Sequence, residues 1–295
     1  MNYNPQQVNP WRGQLHHWEL AALEETERQI LLPPPPKSAM GAWADGKMHQ
    51  LSNKVPEGVR NQVTNAISSA LEHMRAGSSW LVSRDKVYAR IADRAGPVRG
   101  SLDILRTPLH HLDAVAWNYA QNAKNGLTIE GAAAGAAGLV GLAADIPILY
   151  CTLFKTIQEI ALCYGFPVKP PQERMHILQT LDLGHNLGNA QRPQLVCQIF
   201  SMQGMIRAGT TVEALEALQI FHMAGGGTQT QALTRNLRLA RQLALDLLER
   251  KLLQGLVIVG SAWGAAANWQ LARDVGIAAY HLYRRRFLME VALRR

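Results

Sequence analysis

GAAAGAAGLVGLAADIPILYCTLF, residues 131–154, is the stretch whose division decides the fold. Taken as one unit, it is 24 residues with a single charge, Asp145, and is long enough to span a bilayer. Three features oppose that. Gly and Ala fill its first half and supply little transfer energy. An acid near the middle of a span costs about 2.5–3.5 kcal/mol on insertion scales. Pro147 would remove a helical hydrogen bond and kink the segment. The sequence instead predicts two buried helices, near 130–144 and 146–164, with Asp145 capping the second and Pro147 in its first turn.

Gly131, Gly135, Gly138 and Gly141 are spaced four, three and three, which places them on one face of a single helix. A second small-residue surface is Gly260, Gly264 and Asn268. The two surfaces are expected to pack backbone to backbone, or to leave a groove for an apolar or lipid ligand.

Outward from this centre the periodicity stays helical. An N-terminal helix over 15–31 ends at Pro33–Pro36, a stiff extended spacer. Val55-Pro56-Glu57 leads into a helix to about Met74, with Val59, Val63, Ala66, Ile67 and Leu71 inward. Further helices are expected near 85–95, 103–122, 171–182, 191–207, 211–223, 230–253, 255–269 and 271–292. No segment alternates at period two long enough for a strand, and no constant repeat is present. The expected fold is all-α, a multi-helix globular domain around a Gly/Ala-rich hairpin. Residues 1–54 form an N-terminal helix with its Pro-rich linker, and residues 55–295 form the helical domain.

The chain has 295 residues, 47% of them apolar, enough for a sizeable core without disulfides. Cys151, Cys163 and Cys197 have no metal or disulfide spacing and are expected to be buried free thiols. The polar N-terminus with two early prolines does not resemble a secretory signal, so a cytoplasmic setting is expected. Of the formal net charge of +8, residues 271–295 contribute +4, through Arg273, Arg284, Arg285, Arg286, Arg294 and Arg295 against Asp274 and Glu290. Such a basic helix suits an anionic membrane surface, and its arginines equally complement the negative end of the helix. Nucleic-acid binding is disfavoured, because the arginines are not interleaved with stacking aromatics and no binding motif is present.

Candidate chemistry is sparse. Glu130, Asp145 and Glu159 are the acids in the most apolar text. Along a helix, fourteen or fifteen residues separate neighbouring members by roughly 21–22 Å, so no local pair shares a proton. The histidines form no metal-ligating spacing, and no nucleophile elbow occurs. Gly225–Gly227 lacks the lysine of a phosphate loop. No metal or cofactor is expected.

Two longer stretches resemble the core of the EcsC family: residues 129–166, IEGAAAGAAGLVGLAADIPILYCTLFKTIQEIALCYGF, and 259–288, VGSAWGAAANWQLARDVGIAAYHLYRRRFL. VPEGVRNQV at 55–63 and the helix carrying Trp18 fit the same pattern. The resemblance implies a bacterial-type helical protein linked, through a namesake encoded beside an ABC transporter, to membrane export or envelope processes. Its matching polar positions are Glu130, Asp145, Glu159, Tyr164, Asn268 and Arg286, with either a functional or a structural role. The leading expectation is a non-enzymatic protein at the inner face of the cytoplasmic membrane, partnered by anionic lipid or a membrane transport protein, with Arg284, Arg285, Arg286, Arg294 and Arg295 facing the surface. The rivals are a hydrolase using the core acids, and an integral membrane protein with short inserted hairpins.

Overall fold

In the computed structural model, residues 10–31, 57–75, 82–135, 138–185, 192–209 and 262–295 are described; the side chains of 59–60, 66, 70–75, 124–147, 171 and 262–268 lie outside that description. The described residues are helical throughout, without strands. A short 3-10 turn, Pro10–Gln14, precedes α1 (His17–Leu31), α2 (Glu57–Arg75), α3 (Arg84–Ala95), α4 (Ser101–Arg106), α5 (Leu109–Gly135), α6 (Gly138–Cys163), α7 (Pro171–His185), α8 (Arg192–Arg207) and α9 (Ala262–Leu293). The expected helices at 211–223 and 230–253, the Pro33–Pro36 spacer and Gly225–Gly227 fall outside the described residues.

Local chemistry sets several boundaries. The Ser83 side chain accepts from Lys86 N–H at the start of α3, and Gly96, at φ +87°, ends it. The Asp103 carboxylate accepts from the N–H groups of Arg99 (2.8 Å) and Gly100 (3.2 Å), closing the first turn of α4. Thr107-Pro108 then splits the helix expected over 103–122 into α4 and α5, because proline disfavours a helical conformation in the residue before it.

The Gly-rich stretch divides in a different place from the one its sequence suggests. α5 runs to Gly135 and α6 starts at Gly138, so the interruption falls at Ala136–Ala137, and α6 continues unbroken through Asp145 and Pro147. Asp145 is therefore not a cap. An interior proline costs about 3 kcal/mol, but α6 buries Leu149, Tyr150, Leu153, Phe154, Ile157, Ile160, Ala161 and Leu162 against its neighbours, which outweighs one lost hydrogen bond. The four glycines do not share a helix: Gly131 and Gly135 belong to α5, and Gly138 and Gly141 to α6. Residues 255–261 of the helix expected at 255–269 lie outside the described residues; from Ala262 onward it is continuous with the helix expected at 271–292, as α9, since Gln270 is no helix breaker.

α9 is the central post. It packs most extensively on α5 and also touches α7, α1 and α6. Leu23 of α1 lies in the same core as Leu112, Ile157, Val275 and Tyr283, so α1 shares a core with the segment after residue 55. Ile30 joins a second cluster with Leu183, Val196, Ile199, Ala278 and Leu282.

Two glycines outside the Gly-rich stretch allow close crossings with α9. A Cβ on Gly184 would lie 2.6 Å from the Val275 Cα, and one on Gly276 would lie 3.0 Å from the Ala120 carbonyl oxygen. At Gly184 the Val275 Cγ2 lies as close, at 2.5 Å, but in both cases backbone atoms also stand in the way. Gly184→Ala is expected to cost about 1–3 kcal/mol by forcing the helices apart. A lowered urea midpoint against Gly204→Ala, where no atom lies within 4 Å, checks this.

Candidate functional site

Arg284, Arg285 and Arg286 are consecutive on α9, so their side chains leave the helix about 100° apart and reach three different neighbours. Each meets an acid.

Arg284 grips Asp113 of α5 through Nε (3.1 and 3.0 Å) and Nη2 (2.9 Å), and donates through Nη1 to the Ala22 carbonyl (2.9 Å) and the Thr26 hydroxyl (2.8 Å) of α1. Asp113 also accepts from the Tyr164 hydroxyl at 2.8 Å. Arg285 donates to Glu27 of α1 (2.9 Å) and Gln203 of α8 (3.2 Å), with the Phe200 ring 3.5 Å from its guanidinium. Arg12 of the N-terminal turn closes on the same Glu27. Arg286 makes a two-pronged pair with Glu173 of α7 (2.8 and 3.0 Å), under the Phe166 ring at 3.9 Å, and Tyr283 donates to Glu173 at 2.6 Å. At the chain end, Arg295 clasps Glu19 (2.5 and 2.8 Å) and donates to the Gln14 carbonyl.

The electrostatics follow from this geometry. Burial pushes the Glu173 carboxyl upward, but the Arg286 guanidinium and the bonds to it prevail and hold the carboxyl below its usual range. Burial would also lower Arg284 and Arg286, and Asp113 and Glu173 reverse that, raising both. Burial, then Asp113, raises the Tyr164 phenol well above its ordinary value. Two buried histidines lie beside the arginines. His176 is held neutral, down to about 3, by burial and then Arg286; His281 falls to about 4 by burial and then Arg284.

These placements correct the surface assignment of the arginine triplet. The side chains of Arg284, Arg285 and Arg286 are only 13%, 4% and 12% exposed and are committed to internal pairs. The guanidinium groups of Arg285 and Arg286 stack on the Phe200 and Phe166 rings while meeting acids from other helices, which outcompetes exposure to water. Arg294 is about half exposed and 3.8 Å from Glu290. Arg295 is one-third exposed.

Tyr164 and Arg286 join this network, and the Tyr-Gly pair has a physical basis. Gly165 adopts φ +83°, and Gly165 N–H to Leu162 and Phe166 N–H to Ala161 end α6 in a Schellman turn. That turn aims the tyrosine at Asp113.

Glu159 stands apart, half-buried on α6. Burial raises its carboxyl, while Lys155 and Arg90 partly counter that. Glu130 is in the last turns of α5 rather than in a first turn, Asp145 is inside α6, and Asn268 and Gly264 are near the start of α9. The side chains of Glu130, Asp145 and Asn268, and all of Gly260, are outside the described residues. Asp145 and Glu159 remain about 21 Å apart along one helix. Cys163 is buried, Cys151 is half-buried and Cys197 is exposed, so only one of the three thiols expected to be buried is so. Among the described residues no three His, Cys, Asp or Glu side chains gather as a metal site.

Asp113, Glu173, Glu27 and Glu19 were missed from the sequence. The available signal was arithmetic: three adjacent arginines cannot all face water from a helix buried on most sides, so acids elsewhere must answer them.

These features define an all-α protein whose last helix is pinned by arginines to the helices around it. The EcsC protein family model matches residues 18–288, and the chain belongs to that family. It is similar to "Uncharacterized protein YdbA" of Bacillus subtilis (strain 168), 26% identical over 249 residues, covering 82% of this chain and 83% of that protein. It is also similar to "Protein EcsC" of the same organism, 23% identical over 244 residues, covering 82% and 85%. No solved structure matches the chain.

Proposed function

We propose that this chain performs no chemistry of its own and docks peripherally on the anionic inner face of the cytoplasmic membrane, supporting transport or lipid handling there. The observation that carries this reading is the end of the molecule where Arg295 clasps Glu19. That pair ties the end of α9, which carries exposed Leu293 (42%) and is followed by exposed Arg294, to the start of α1, which carries exposed Trp18 (47%). Tryptophan, leucine and arginine together suit the boundary between lipid headgroups and acyl chains. Among the described residues, no helix is long and apolar enough to cross a membrane. The Arg286 guanidinium holds the Glu173 carboxyl below its usual range, which leaves it a poor proton acceptor for a hydrolase.

Sedimentation with anionic phospholipid vesicles tests the reading. The wild-type chain is expected to co-sediment in low salt and to be released by a high-salt wash. Trp18→Ala is expected to weaken binding about tenfold or more, the loss of one buried aromatic side chain. A chain that stays in the supernatant at every salt concentration defeats the proposal. One that resists carbonate extraction from membranes points to insertion instead.

A further inference from the structure

The helix lying on the basic face of α9 is itself acidic. α1 carries Glu19, Glu24, Glu25 and Glu27 against Arg28, while α9 and the two residues after it carry +4 from residue 271 onward. Glu27 answers Arg285, Glu19 answers Arg295, and the Ala22 carbonyl and Thr26 hydroxyl answer Arg284. Arg284 and Arg286 hold further carboxylates, Asp113 and Glu173, on other helices. α1 therefore places carboxylates where a surface of fixed negative charge would otherwise sit.

The stripe around Arg285 is apolar. Ala278, Leu282, Arg285, Met289 and Ala292 recur at intervals of four, three, four and three, on one side of α9, and all are buried. Ile30 of α1 covers Ala278 and Leu282 together with Leu183 of α7 and Val196 and Ile199 of α8. An apolar stripe with arginines on it has the composition of a helix that lies in a lipid interface.

Apolar side chains alone would hold a helix here at least as firmly, since buried ion pairs gain little over well-packed hydrophobic replacements. What guanidinium–carboxylate pairs add is exchangeability, because lipid phosphates offer the same oxygen acceptors.

We infer that α1 is an acidic latch over lipid-binding arginines of α9: on an anionic membrane, phosphate groups replace Glu19 on Arg295 and Glu27 on Arg285. The inference rests on the membrane reading above and adds the site and its control.

The test uses the full chain, vesicles of phosphatidylglycerol with phosphatidylcholine, and vesicles of phosphatidylcholine alone. Glu27→Gln and Glu19→Gln weaken the latch. Glu25→Gln removes the same charge from the same helix at a position paired outward with Arg28, and serves as the control. Opening the latch raises the binding-competent fraction, so Glu27→Gln and Glu19→Gln are expected to bind anionic vesicles about tenfold more tightly than wild type, with Glu25→Gln within about twofold. Hydrogen exchange of α1 amides in the wild-type chain is expected to quicken on adding anionic vesicles, while α5 amides stay protected.

Equal binding by all variants, with α1 still protected on the vesicles, overturns the latch and leaves the membrane reading standing. No binding by any variant overturns both. If circular dichroism shows Glu27→Gln to be unfolded, Glu19→Gln, whose Arg295 partner is one-third exposed, and wild-type exchange decide the matter.

Discussion

Glu173→Ala is expected to destabilise the protein by about 3–5 kcal/mol, the cost of leaving a buried charge without its partner. Arg286 would remain under the Phe166 ring with no carboxylate, and the Tyr283 hydroxyl would lose its acceptor. Total stabilities of domains are about 5–15 kcal/mol, so this one change removes a large share. Urea unfolding followed by helical circular dichroism measures the loss. Two comparisons give the number its meaning. Glu25→Ala breaks the exposed pair with Arg28 and is expected to cost less than about 1 kcal/mol. The double variant Glu173→Leu with Arg286→Met is expected to recover much of the single-variant loss, because an apolar pair of similar volume avoids desolvating two charges. If Glu173→Ala unfolds at the wild-type midpoint, the pair is not holding α7 to α9.

Acid is expected to weaken the fold already between pH 7 and pH 5, through two buried histidines. His176 and His281 stay neutral in the folded chain down to about 3 and about 4, because burial and then Arg286 and Arg284, respectively, oppose their protonation. In the unfolded chain each titrates near the ordinary histidine value of about 6.5. Below that value the unfolded state binds protons that the folded state refuses, so stability falls as pH falls. Between pH 7 and pH 5 the loss is about 2 kcal/mol per histidine. The depressed Glu173 carboxyl acts lower, its contribution being present above the ordinary carboxylate range and lost as pH falls through its folded value. Urea midpoints at pH 7, 6 and 5 are expected to decline steadily, and His176→Gln is expected to remove about half of that slope. A midpoint that is flat over this range would mean that both imidazoles gain their protons without unfolding.

Much of the architecture was legible from spacing alone. The inward positions Val63 and Ile67 of α2 are fully buried, and the helix end before Tyr164-Gly165 follows from glycine's access to positive φ. Where local signals compete, spacing was less reliable. Asp145-Ile-Pro is a good helix start when read in isolation, yet α6 passes through it, because burial along residues 149–162 favours one long helix. The glycines that matter for close approach among the described side chains, Gly184 and Gly276, stand alone in ordinary text and carry no pattern.

By itself, the sequence determined an all-α fold, the family, and a last helix dense in arginine. These follow from residue order, since helical period and motif spacing are properties of neighbours along the chain. Only the tertiary structure decided what the arginines do. Each finds its acid 113 to 276 residues away, at Glu173, Asp113, Glu27 or Glu19. Whether a charge meets water or a carboxylate depends on which helices pack beside it. That is set by the summed burial of the whole core, so the basic tail that reads as a surface becomes the internal fastening of α1, α5 and α7 to α9.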